Sequence, residues 1–239
     1  MPDEKVAVVG DCKDPIFDYE IELPYGDSGG LSNDWQIEKA TPFHETIKLE
    51  ADMILNGSIA HWWTTFEKRD VVVVNGTKDF YNQTTTQQLY RRHLSLNYLP
   101  DVYNAVTYWR HSQMAITFFR TVKMLFENWS EVKELIKGWS TDTPDTDTVY
   151  AIAISILGTD QFLIPNPPQF AHMKGKINYC EGENWTKELV WELNEQGLRI
   201  NTIQQTIPTH YYIKDFSKTL EEHYDNLLAS GTRSYSIKN

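Results

Sequence analysis

The chain has 239 residues, 41% of them hydrophobic and 13% aromatic, which is enough to bury one sizeable core. Its 33 acids against 22 lysines and arginines leave a net charge of −11, which excludes an extensive surface tracking nucleic-acid phosphates. No stretch approaches the roughly 20 apolar residues of a membrane span.

Cys12 and Cys180 match no zinc or redox spacing, so they read as free thiols of a reducing, cytoplasmic compartment. The opening residues MPDEK lack the basic and apolar regions of a signal peptide. Eight tryptophans and thirteen tyrosines exceed what core packing needs, and such rings often wall sugars and bases.

In chain order, residues 5–10 (KVAVVG) predict a buried first strand that ends in a glycine turn, and residues 25–30 (YGDSGG) predict a loop. Residues 46–50 form the next strand. A short helix over 59–68 follows, then a strand over 70–75, whose unbroken valine run predicts cover on both faces.

Residues 103–109 read as a strand, and 111–129 as a long helix whose apolar stripe is core. Residues 145–157 start at an acidic, cap-like stretch and continue as an apolar helix. Pro165, Pro167 and Pro168 break the chain before 169–173. A short strand near 198–202 and an amphipathic helix from Asp215 complete it. Strands alternating with helices predict one α/β domain with a mixed central sheet flanked by helices.

The chemistry-bearing motif is Glu50-Ala-Asp52 at the end of the 46–50 strand. Strand alternation predicts both carboxylates on one face, where the chain leaves the sheet. Hard oxygen ligands of this kind suit Mg²⁺ or Mn²⁺. The plain alternative is an edge strand with its acids in solvent. Asp145 and Asp147 have a structural reading too, because acids in a first helical turn cap orphan amides and favour the helix dipole.

Four segments together resemble a known family. Residues 41–54 (TPFHETIKLEADMI) resemble the element of GT-A glycosyltransferases that ends in the acid-x-acid metal motif. Residues 103–109 (YNAVTYW) resemble the following strand, where an Asn faces the donor sugar. Asp145-Thr-Asp147 resembles the second acidic motif. His172-Met-Lys174-Gly175-Lys176 resembles the C-terminal element of the retaining, glycogenin-like branch. The likeness is nearest to glycosyltransferase-like proteins of tailed phages.

The resemblance implies a single GT-A type, Rossmann-like domain. It implies a metal held by Glu50, Asp52 and His172, with Mn²⁺ favoured over Mg²⁺ by the imidazole. It places Asp145 and Asp147 at the reacting centre and Asn104, Lys174, Gly175 and Lys176 on the donor. Base and ribose contacts fall to residues among Val9, Asp11, Tyr25 and Lys39. Trp109 and His210 become acceptor-side residues, with a packed aromatic cluster as the alternative reading of the His210 segment.

The implied reaction moves a sugar from a UDP-linked donor to a hydroxyl acceptor, with retention favoured over inversion. In a phage setting the acceptor would be a hydroxymethylated pyrimidine in DNA, or its attached sugar, in the host cytoplasm. The charge of −11 points instead to a glycan or small molecule. Two departures stand out: Glu50 replaces the family's usual Asp, and only some forty residues precede the metal strand. They leave a catalytically degenerate sugar-nucleotide binder as an alternative. A sugar nucleotidyltransferase would need a Gly-rich, basic loop after the first strand, which GDCKDP lacks.

Overall fold

The computed structural model describes residues 4–27, 29–85, 91–174, 184–194 and 196–229. The chain opens with β1 (Ala7–Val9) and β2 (Tyr19–Ile21), a 3-10 helix (Gly30–Gln36) and α1 (Ile37–Ala40). Next come β3 (Glu45–Leu49), β4 (Met53–Ile54), α2 (Trp62–Phe66), β5 (Val71–Asn75) and α3 (Arg92–Leu96). The middle holds β6 (Val102–Arg110), α4 (Gln113–Glu127), α5 (Trp129–Val132) and α6 (Thr146–Leu157). The last part runs through β7 (Ala171–His172), α7 (Trp185–Glu188), β8 (Trp191–Asn194) and β9 (Gly197–Ile200). It closes with β10 (Ile203–Gln204), β11 (Thr209–His210) and α8 (Phe216–Ala229).

The fold is mixed α/β, as the alternation of strands and helices predicts. The expected single central sheet does not form: the described strands make four separate sheets of two or three strands. The chain also gathers into two compact units where one domain was expected. The first is Met1–Leu49, Ala60–Gly76 and Arg91–Pro168; the second is Glu50–Ile59, Thr77–Tyr90 and Gln169–Asn239.

In the first unit β6 lies between β3 and β5 and runs antiparallel to both. Val71 to Val74 are fully buried, so the valine run is covered on both faces as expected, although within an antiparallel sheet. Alternation explains the cover. Val71, Val73 and Trp109 pack with Phe118, Phe119 and Val149 from α4 and α6. On the other face Tyr108, opposite Val72, stacks on Phe66 of α2 at 5.6 Å.

The ladder between β5 and β6 slips: Val73 pairs with Thr107, yet Val74 pairs with Tyr103. Asn104, Ala105 and Val106 therefore bulge out of it, and a bulge redirects side chains. Capping fixes the helix starts. Ser112 accepts from the Ala115 N–H at 3.2 Å and Asp145 from the Thr148 N–H at 2.6 Å. The first strand is shorter and more exposed than predicted, with Val9 39% exposed, because a two-stranded ladder has no third layer to bury it.

In the second unit β11 is the middle strand of a sheet, antiparallel to β4 and parallel to β7. A hairpin-like sheet of β8, β9 and β10 lies in the same unit. Its core joins Ile54, Phe80, Trp185, Leu198, Ile200 and Phe216. The indole N–H of buried Trp185 donates to the Tyr211 carbonyl at 2.8 Å, tying α7 to the segment after β11. No helix among the described residues is long and apolar enough to cross a membrane.

Candidate metal centre

Three ligand atoms, one each from Glu50, Asp52 and His210, lie within 4.8 Å of one another in the second unit. The carboxylates reach this position by a different route from strand alternation. Glu50 directly follows β3, and Ala51 and Asp52 form a turn before β4, so the turn and not a common strand face brings the two acids together.

Strand order then selects the histidine. His210 on β11 stands opposite Met53 on β4, and the Tyr211 N–H donates to the Asp52 carbonyl at 3.0 Å. That register sets the imidazole beside the turn, with Nε2 2.9 Å from Asp52 Oδ1 and 3.2 Å from Glu50 Oε2. His172 lies one strand further out, in register with His210 on β7. It does not join the ligand trio; its ring stacks on that of His210 at 4.6 Å and 26°. The histidine that the structure sets beside the two acids is thus His210, which sequence reasoning placed on the acceptor side, and not the expected His172. Two histidines in short strand-like segments look alike in sequence, and only the pairing order separates them.

Electrostatics at His210 are strongly perturbed. Burial alone would draw its pKa down, but hydrogen bonds to Asp52 and Glu50 and their charges outweigh that and push it up to about 9. At neutral pH a proton therefore sits where the three ligand atoms converge. Nδ1 on the far side of the ring is buried with no hydrogen-bond partner among the described residues, so the polar contacts that orient the imidazole are those to the two carboxylates.

The trio fits a divalent ion. Ligands on opposite sides of an ion at roughly 2.1 Å are about 4.2 Å apart, so small side-chain rotations close the shell. Two carboxylates and one imidazole make the mixed oxygen and nitrogen set that Mn²⁺ accepts. Asn56 braces the arrangement. Its amide donates to the Ile207 carbonyl at 2.7 Å and to Thr209 Oγ1 at 3.0 Å, and accepts from the Leu198 N–H at 3.1 Å. At Gly197, whose φ is +99°, a Cβ would stand 2.9 Å from the Asn56 oxygen, so that close approach requires glycine.

Beside the trio lie further groups of the same unit. Lys174 Nζ sits 5.3 Å from the Tyr212 ring centroid, and that ring meets His172 and His210 edge-on at 6.2 and 6.5 Å. Gly175 and Lys176, expected on the donor diphosphate, lie outside the described residues, as does Cys180. Cys12 is a free, exposed thiol.

The first unit holds a second polar cluster, most of it unforeseen. Asn104 in the bulge donates from its main chain to Asp147 at 2.7 Å and from its amide to Asp34 at 2.9 Å. Its carbonyl accepts from Lys48 at 2.9 Å, and Lys48 lies 3.6 Å from Asp34. Arg91 pairs with Asp147 at 3.5 Å and Asp101 at 3.4 Å and covers the Tyr103 ring at 3.9 Å. Burial raises the Asp101 pKa, against the nearby Arg91 charge. Asn104 and Asp147 are thereby engaged in holding β6 to the start of α6.

Other expected site residues take structural positions. Asp145 uses both oxygens as a helix cap, on the Thr148 N–H at 2.6 Å and the Thr148 hydroxyl at 2.9 Å. Trp109 is 2% exposed and packs on Phe119 at 5.3 Å, so no acceptor can touch it. Lys39 bonds the Tyr25 hydroxyl at 2.6 Å, while Val9 and Asp11 are exposed beside the small first sheet. Asp145→Ala should then cost about 1 kcal/mol, the usual worth of an N-cap. Urea unfolding checks the stability loss, and Mn²⁺ affinity should stay unchanged; a drop in that affinity would restore a site role for Asp145.

No protein family, curated protein or solved structure matches this chain.

Proposed function

We propose that the chain is a metal-dependent glycosyltransferase, moving a sugar from a nucleoside diphosphate donor to a hydroxyl acceptor. The observation that carries this reading is the convergence of Glu50, Asp52 and His210, an acid-x-acid pair joined by a histidine from a distant segment. With a divalent ion held there, such a centre would supply positive charge against a leaving diphosphate. In the reaction the bond from sugar C1 to the diphosphate oxygen breaks, and the electron pair leaves with the diphosphate. A bond from the acceptor oxygen to C1 forms, and the acceptor proton passes to solvent or a carboxylate. Lys174 belongs to the same unit and adds an ammonium group suited to diphosphate oxygens.

One observation favours a second reading, a domain that binds sugar nucleotides without turnover. Asp145 is a helix cap and Asp147 is held by Asn104 and Arg91, so both expected catalytic carboxylates have structural work. A DNA acceptor draws less support. Arg91 is buried among Asp101, Asp147 and Tyr103, and Arg110 pairs with Asp70 at 2.7 Å, so both cations are already engaged with acids of the chain.

The test is incubation with a panel of UDP-sugars and Mn²⁺, with free UDP followed by mass spectrometry and the melting temperature followed in parallel. A ligand that binds only the native state must raise that temperature. UDP release from one sugar, abolished by EDTA, is the expected result. A thermal shift without release would establish the binder. Neither shift nor release would overturn both readings.

A further inference from the structure

Tyr212 adopts a backbone conformation that its own side chain disfavours. Its φ is +63°, and the Ile213 N–H donates to the Tyr211 carbonyl at 2.7 Å, closing a three-residue turn around it. A γ-turn of positive φ is rare and strained, and glycine or asparagine would occupy it more easily than a bulky ring. Of the other described non-glycine residues at positive φ, Asn82, Asn166 and Asn201 carry the side chain that tolerates it, and Tyr98 takes it just past the end of α3. Packing does not account for tyrosine here, because the residue is 42% exposed.

Position does account for it. Tyr212 is two residues beyond His210, and its ring stands edge-on to both imidazoles, at 70° to His172 and 86° to His210. Lys174 lies over the same ring. The strained turn thus holds a partly open aromatic ring at the rim of the metal centre, flanked by a cation. Strain of this kind persists where the surrounding structure enforces it, and it clusters at ligand sites.

We propose that Tyr212 is a stacking platform for the ring-bearing part of a diphosphate ligand, base or sugar, whose phosphates are held at Glu50, Asp52 and His210. The inference rests on the metal-centre reading and adds the surface that recognises the ring. An aromatic face packs on either kind of ring, and a neighbouring ammonium group suits the adjoining phosphates.

The experiment compares Tyr212→Gly and Tyr212→Phe with the wild-type protein, using calorimetric binding of UDP and of inorganic pyrophosphate, each with Mn²⁺, together with thermal melts. For Tyr212→Gly the expected result is at least a tenfold loss of UDP affinity, pyrophosphate affinity within twofold of wild type, and no fall in melting temperature. Tyr212→Phe should bind both as wild type does. UDP binding to Tyr212→Gly at full strength would overturn the platform, and so would an equal loss for UDP and pyrophosphate, which would make Tyr212 a support of the metal centre. Pyrophosphate binding without UDP binding in the wild type would also overturn it. Wild-type protein that binds neither probe would remove the metal-centre reading itself, a different failure from those seen in the variants.

Discussion

Asp52→Asn is expected to weaken Mn²⁺ binding by more than about 100-fold, beyond the roughly 10–100-fold that loss of an outer partner costs. Two effects add. The substitution removes one of two anionic ligands, and it removes the nearer of the two carboxylates that orient His210, at 2.9 Å against 3.2 Å for Glu50. The fold should survive. Asp52 lies in a turn, its side chain is 33% exposed, and the main-chain bond from the Tyr211 N–H to the Asp52 carbonyl does not depend on the side chain. Calorimetry with MnCl₂ reads the affinity and circular dichroism the fold. Undiminished Mn²⁺ affinity in a folded variant would remove Asp52 from the ligand set.

Mn²⁺ affinity should also climb with pH, because metal and proton compete for the same nitrogen. With the His210 pKa at about 9, the imidazole is mostly protonated at neutral pH, and each pH unit below that value costs about tenfold in apparent affinity. From pH 6 to pH 8 the affinity should therefore rise about 100-fold, and in His210→Gln this slope should disappear.

Stability of the metal-free protein runs the opposite way. The folded pKa is raised from 6.5 to about 9, so the ion pairs stabilise fully below pH 6.5 and their contribution is lost as pH rises through 9. A shift of that size corresponds to about 3 kcal/mol, reduced to about 2 by solvent screening of the part-exposed carboxylates. Urea unfolding in EDTA at pH 6 and pH 9 measures this change. Equal stability at both values, together with a flat metal profile, would show that His210 does not share its proton with the two acids.

The amino-acid sequence by itself settles much that depends on short-range pattern. The valine run at 71–74 is a doubly covered strand because β-branched residues with no polar alternation leave no face for water. The long helix and the capped helix form near the predicted places, since Ser112 and Asp145 meet the first free N–H groups locally. The acid-x-acid pair is legible as a metal candidate from its spacing and residue types, although a turn and not the expected common strand face brings Glu50 and Asp52 together.

Other features depend on contacts distant in the chain, and only the tertiary structure decided them. The histidine of the trio is His210 because β11, and not β7, pairs with β4, a choice that no local signal around the two histidines encodes. Asp147 and Asn104 are tied to each other, with Arg91 on Asp147, because a register slip in β6 turns Asn104 out of the ladder. The strain at Tyr212 is likewise invisible in sequence. A tyrosine is ordinary there until the turn that follows β11 imposes a positive φ on it. Strand pairing and register couple residues across tens of positions, and their energies belong to the assembled sheet and not to any one segment.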